Sequence, residues 1–274
     1  AMYYSVGELP SPGLPWQTPD PIAPNEYAAP GSWDYRIIPI CCRFLNSGIP
    51  VLVGTMDHAF ILCGYRRTGQ SKSNWIEFIR HDDQTGPYLT IDNVLNDTDH
   101  RIDRNYGPWR TIHAPLPEKI WLTPEAAERR GGWYLLRASE QITQVLNEQA
   151  SLVALTKLVR LKRLALKTYA IRSNKFKASL AQRRLPIDIR REYSLSRLPR
   201  YIWVVEAIDR QLRTDGKACV IGEALLDATS SDHAPRLLAL HIHGVMWLQQ
   251  TNGDIRFPIY GNSTPYTSGG VGDP

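Results

Sequence analysis

The stretch from Gly48 to Tyr88 constrains this chain more than any other. It opens G-I-P-V-L-V-G-T-M-D-H-A-F-I-L-C-G-Y, crosses a polar turn, and continues N-W-I-E-F-I-R-H-D-D-Q-T-G-P-Y. Short runs of Val, Ile, Leu and Phe bounded by Gly and Pro read as buried strands. Residues 50–54 and 58–65 are two such strands, 66–73 a hairpin turn, 74–81 the returning strand, and 88–91 a further short one after the Gly86-Pro87 break. His58 opens one long strand and His81-Asp82-Asp83 closes its neighbour. A hairpin between them would set an imidazole beside a carboxylate.

The flanking segments complete an α+β pattern. Residues 1–33 are dense in Pro and Gly, which forbids a long helix or central strand and predicts an extended arm packed through Tyr3, Tyr4, Leu14 and Trp16, with a disordered tail as the alternative that the aromatics argue against. Ile37, Ile38, Cys41, Cys42, Phe44 and Leu45 recur at helical spacing, with Asn46-Ser47-Gly48 as the stop. Pro39 suits only the first turn of a helix, so the helix is expected to begin near it. Residues 92–108 read as a polar loop and 111–122 as strand interrupted by Pro115 and Pro117. Thr123-Pro124-Glu125 then supplies an N-cap, a first-turn Pro and an acid, predicting a helix to about Asn147 or beyond with Gly131-Gly132 as a weak point. Residues 161–172 fit a helix end or a strand, and a second helix is expected from Ser173 to near Arg184. Strands follow at 201–208 and 217–229 around a turn at 213–216, then at 237–243, 245–250 and 255–259. The expected organisation is a Pro-rich arm (1–33), a half-domain of helix and antiparallel strands (34–122), and a mixed α/β domain with a basic surface (123–274).

Composition narrows the function classes. A chain of 274 residues with 43% hydrophobic content has ample material for a core. No apolar run approaches the roughly 18 residues a membrane span needs, and the N-terminus lacks a signal-peptide pattern, so a cytoplasmic protein without membrane contact is expected. The four cysteines show no C-x-x-C spacing, which argues against a redox motif or zinc ribbon and for buried reduced thiols. The net charge of +5 is concentrated in Lys157–Arg200. That stretch is a solvated helix face or a weak polyanion-binding surface.

The pattern S-G-I-P-V-L-V-G, D-H-A-F-I-L-C-G-Y, F-I-R-H-D-D-Q-T-G-P-Y resembles the His-and-Asp half of papain-fold cysteine peptidases, in particular the bacterial bacteriocin-processing, double-glycine peptidase-like branch. The resemblance covers about residues 34–92. It implies a papain-like half-domain in which His58 is the general base and Asp82 its orienter, with His81, Asp83, Gln84 and Tyr88 supporting the site. It also implies cleavage of peptide or isopeptide bonds without a cofactor, and a protein or peptide as substrate or partner. In that family the nucleophilic cysteine opens a helix well before the His, whereas here no cysteine precedes Cys41. The nucleophile is therefore missing, degenerate, or permuted. Cys41, Cys42 and Cys219 are the candidates, with buried helix or strand thiols as the plainer reading of all three. The alternative function is a non-catalytic binding module of that fold for a protein or nucleic-acid partner.

Two further clusters compete. His58, His81, Asp82, His241 and His243 could supply metal ligands, but no H-E-x-x-H or comparable spacing appears and no metal is expected. Glu206, Glu223 and Asp227 lie in apolar strands, where a carboxylate is costly unless paired, and Arg200 or Arg210 is the expected partner.

Overall fold

The computed structural model describes residues 2–6, 34–55, 57–68, 75–91, 109, 111–145, 155–161, 163–183, 185–214, 217–242, 245–249, 255–260 and 266–267. The chain divides into two compact units, one drawn from residues up to Glu118 and one from Lys119–Gly270. Both combine helices with an antiparallel sheet, so the architecture is α+β.

The first unit contains β1 (Met2–Val6), α1 (Asp34–Asn46), β2 (Val51–Gly54), β3 (Ala59–Thr68), β4 (Trp75–Asp82), β5 (Gly86–Ile91) and β6 (Thr111–Leu116). Its six strands run in the order β1-β6-β2-β3-β4-β5, every neighbouring pair antiparallel. Within the Pro-rich arm Met2–Val6 forms β1, while Leu14 and Trp16 lie outside the described residues. Helix α1 begins at Asp34 and not near Pro39, which falls inside it. Its end is a Schellman motif. Gly48 adopts a left-handed φ of 69°, Gly48 N–H donates to Leu45 O, and Ile49 N–H donates to Phe44 O at 3.0 Å. The helix packs on β2 and β3 and buries Cys41 and Phe44.

Alternation divides the sheet. Val51, Val53, Phe60, Leu62, Phe78, Ile112 and Ala114 are buried, while Leu52, Ile61, Cys63 and His81 are exposed. Pro115 of β6 lies opposite Tyr3 of β1. Strand β2 pairs only with Thr111, Ile112 and His113, so it never needs the missing N–H. The strand expected to reach Leu122 ends at Leu116, before Pro117 and the turn in which Lys119 takes a φ of 70°.

The second unit contains α2 (Pro124–Val145), α3 (Leu155–Arg160), β7 (Leu164–Arg172), α4 (Ser173–Ser179), α5 (Ile187–Leu195), β8 (Tyr201–Thr214), β9 (Lys217–Asp227), β10 (Leu237–Ile242), β11 (Val245–Gln249), β12 (Ile255–Tyr260) and β13 (Tyr266–Thr267). Six strands follow the order β12-β11-β10-β9-β8-β7, and β13 pairs with β9. The ambiguous 161–172 segment is strand from Leu164, and α5 is a helix the sequence did not announce.

Helix α2 starts where the Thr-Pro-Glu signal put it. Thr123 Oγ1 accepts from Ala126 N–H at 3.3 Å, and Asp232 accepts from both the N–H and the hydroxyl of Thr123. It lies across one face of the sheet, where Gly131 is a contact point. A Cβ there would meet Val205 Cγ2 at 2.7 Å and Leu226 Cδ1 at 3.2 Å. The opposite face carries a core of Tyr169, Ile202, Val204, Leu225 and Met246 closed by Phe176 of α4 and Ile189 and Tyr193 of α5.

Candidate functional site

His58 lies just ahead of β3, in a turn closed on itself. The N–H and the hydroxyl of Thr55 donate to His58 O at 2.8 and 3.0 Å, and His58 N–H donates to Thr55 Oγ1 at 3.1 Å. Counting by two along β3 puts His58 on the side of buried Phe60 and Leu62. Counting by two along β4 puts Asp82 on the side of Phe78 and Arg80, which are also buried. Register then brings the two together: Ile61 opposes His81 and Leu62 opposes Arg80.

The His58 Nε2 to Asp82 Oδ1 distance is 3.0 Å. The Asp82 side chain has 0% exposure and the His58 side chain 8%. Asp82 Oδ1 also accepts from Gln84 N–H at 2.9 Å, so this carboxylate both meets the imidazole and closes the turn into β5. Arg80 Nε lies 3.8 Å from Asp82 Oδ2 and is itself buried, offsetting part of the charge that burial would otherwise leave exposed to a low dielectric. With a carboxylate on Nε2 the imidazole carries its proton there, and Nδ1 becomes the basic nitrogen. Beneath the ring, Phe60 stacks at 6.5 Å, and Trp109 wedges against Phe60 and Phe78 at 5.9 and 5.8 Å.

Asp83 is placed differently. Its Oδ1 is 3.7 Å from His58 Nε2, but its side chain is 83% exposed. His81 points to the outer face, its ring perpendicular to that of Tyr88 at 6.0 Å. Tyr88 takes a φ of 58° where the β4–β5 register shifts between Arg80 and Asp82, a bulge that brings Asp82 opposite Gly86. Gln84 contributes its backbone. Among the described residues, the group able to surround a metal ion is His58, Asp82 and Asp83, whose donor atoms lie within 4.8 Å of one another.

The four cysteines occupy three environments. Cys41 and Cys42 are buried in α1, and Cys219 is fully buried in β9, opposite Asp209 of β8. Cys63 sits at the β3–β4 register shift and donates to Ile79 O at 3.3 Å. Desolvation pushes its thiol above the ordinary value, outweighing the backbone hydrogen bond that lowers it. That is the opposite of an activated thiolate.

The second unit holds its own buried polar group. Arg183 Nη1 donates to Glu223 Oε2 at 2.7 Å, Arg183 Nη2 donates to Tyr169 Oη at 3.1 Å, and Tyr169 Oη donates to Glu206 Oε1 at 2.9 Å. Glu223 therefore takes Arg183 as its partner, not Arg200 or Arg210, because the segment after α4 folds back over the sheet. Burial, then the Glu206 charge, raises the Tyr169 hydroxyl well above the ordinary tyrosine range, and burial with the Glu223 charge does the same for Tyr193. Asp227 instead closes the turn after β9 through Thr229. His241 is buried opposite Glu223 in the β9–β10 register, and His243 lies outside the described residues.

Several cations of the 157–200 stretch are committed to the fold: Arg163 to Asp209, Arg183 to Glu223, and Lys177 to the carbonyls of Ser194 and Ser196. Sequence reasoning passed over Arg80, Thr55 and Trp109. Arg80 had a signal, since it stands two residues before Asp82 on an alternating strand. No described helix is long and apolar enough to cross a membrane. No protein-family model matches the chain, and no curated protein or solved structure is significantly similar to it.

Proposed function

We propose that the first unit carries the base-and-orienter half of a cysteine-peptidase-like site acting on peptide or isopeptide bonds. The observation that carries this reading is the 3.0 Å contact between His58 and the fully buried Asp82. A carboxylate held that firmly fixes the imidazole tautomer, which is what a general base in nucleophilic catalysis requires. In the proposed reaction Nδ1 of His58 takes the thiol proton, and the thiolate attacks the carbonyl carbon. The same proton then passes to the leaving amine, and water releases the acyl group. The papain-like resemblance of residues 34–92 and a peptide substrate belong to this proposal.

The nucleophile candidates remain Cys41, Cys42 and Cys219, and a thiol set against His58 must alkylate faster than an ordinary one. The test is iodoacetamide labelling of the intact chain at near-neutral pH, mapped by mass spectrometry, in wild type and His58→Ala. A cysteine that labels faster than a free exposed thiol, and slows in His58→Ala, supports the peptidase reading. Uniformly slow labelling, unchanged in the variant, removes it. A second reading has its own observation: Cys41 and Cys42 are buried within a helix and the Cys63 thiol is pushed up. A binding module of the same fold, for a protein or nucleic-acid partner, needs the dyad only as structure and predicts that uniformly slow result.

A further inference from the structure

Helix α2 carries a surface that neither its packing nor the dyad chemistry uses. Its inner face is committed to the sheet through buried Ala127, Gly131 and Leu135. Its outer stripe exposes Arg129, Arg130, Trp133 and Arg137. The Arg130 guanidinium lies 4.8 Å from the centroid of the Trp133 ring and 5.0 Å from that of Tyr134. The Arg137 guanidinium lies 5.9 Å from the Trp133 ring. An indole that is 40% exposed is thus bracketed by cations three residues before and four after it, about 10 Å apart along the helix axis. Glu140 offsets Arg137 at 3.4 Å, and among the described residues no carboxylate pairs with Arg129 or Arg130. Helix α3, packed against α2, adds the exposed Lys157 and Arg160.

We infer that this stripe docks single-stranded nucleic acid, with phosphates on Arg129, Arg130 and Arg137 and a base on the face or edge of Trp133. Two properties occur together here: guanidinium charge at Arg129 and Arg130 that no described carboxylate offsets, and an exposed indole within cation–π distance of Arg130 and Arg137. A single strand alternates the matching pair, phosphate and unstacked base. An acidic peptide would satisfy only the charges. An anionic membrane would need an apolar face to insert, and the apolar face of α2 is spent on β8 and β9. The core of the surface lies on α2, outside the 157–200 stretch, from which only Lys157 and Arg160 join it; Arg163, Lys177 and Arg183 of that stretch are tied into the fold.

The experiment is fluorescence anisotropy of a labelled oligothymidylate titrated with the full chain over a salt series. Binding should weaken steeply with salt, and Arg129→Ala/Arg130→Ala/Arg137→Ala should flatten the log–log slope by about two, at roughly 0.7 per phosphate. Trp133→Ala should weaken binding about ten-fold with the slope unchanged, while Trp133→Phe, which keeps a stacking ring, retains most of the affinity. Lys175→Ala/Arg197→Ala, outside the stripe, should change little. Circular dichroism melting confirms that each variant is folded. The inference is overturned by absent binding at low salt, by Trp133→Ala and Trp133→Phe behaving alike, or by a Lys175/Arg197 effect equal to that of the stripe. Equally tight, Trp133-dependent binding of poly-glutamate or phosphatidylserine vesicles also overturns it.

Discussion

Two adjacent aspartates show how far a single position along a strand decides a residue's environment. Asp82 shares the buried parity of Phe78 and Arg80, whereas Asp83 has passed into the turn and faces water. Asp82→Asn keeps the shape but weakens bonds to His58 and the Gln84 N–H and leaves Arg80 less compensated. It should cost about 1–3 kcal/mol, while Asp83→Asn stays within about 0.5 kcal/mol, both read from urea unfolding. Arg183 is the corresponding residue of the second unit. Its side chain is 1% exposed and its Glu223 partner 0%, so solvent screening does not soften the loss. Arg183→Met strands a buried carboxylate and should destabilise by about 3–5 kcal/mol. Adding Glu223→Gln should recover a large part of that, since the cost comes from the orphaned charge.

At the scale of elements, α2 starts where its local signals place it, and its middle is governed by what it packs against. Thr123, Pro124 and Glu125 are local signals, and local hydrogen bonds explain them. Gly131 looked like a helix weakness because an isolated helix would gain about 1 kcal/mol from Ala there. Against the sheet the sign reverses, since the added Cβ would meet Val205 at 2.7 Å. Gly131→Ala should therefore destabilise by about 1–3 kcal/mol net, measured by thermal melting, whereas a gain would mean that α2 can lift from the sheet without cost. Thr123→Ala, which removes the cap and one of the bonds to Asp232, should cost about 1–2 kcal/mol in the same assay.

For the whole molecule, the buried tyrosines set a pH limit. Tyr169 and Tyr193 have folded-state values raised well above the ordinary value near 10. Below that value both folded and unfolded chains keep the proton and pH has no effect through these groups. Above it the unfolded chain loses protons that the folded chain retains, so stability falls as pH rises. Ultraviolet titration should show at least two of the 13 tyrosines remaining neutral until the fold is lost. Tyr169→Phe should shallow the alkaline limb while lowering stability near neutrality, because Glu206 loses a donor.

The sequence by itself determined the elements whose causes are local: the strands around His58 and Asp82, the stop at Gly48, the start of α2, and the β8–β9 hairpin. It also made the His58–Asp82 pairing legible, because strand parity and a short turn restrict which side chains can meet. Helix α5 is not legible in the sequence because its short stretch I-D-I-R-R-E-Y-S-L carries a weak apolar stripe and becomes stable through Ile189 and Tyr193 packing on the sheet. Arg183 as the partner of Glu223, Arg80 behind Asp82, and Gly131 against Val205 were decided only by tertiary structure. These contacts join residues distant in the chain or on facing elements, and their free energy exists only after burial removes water from both partners.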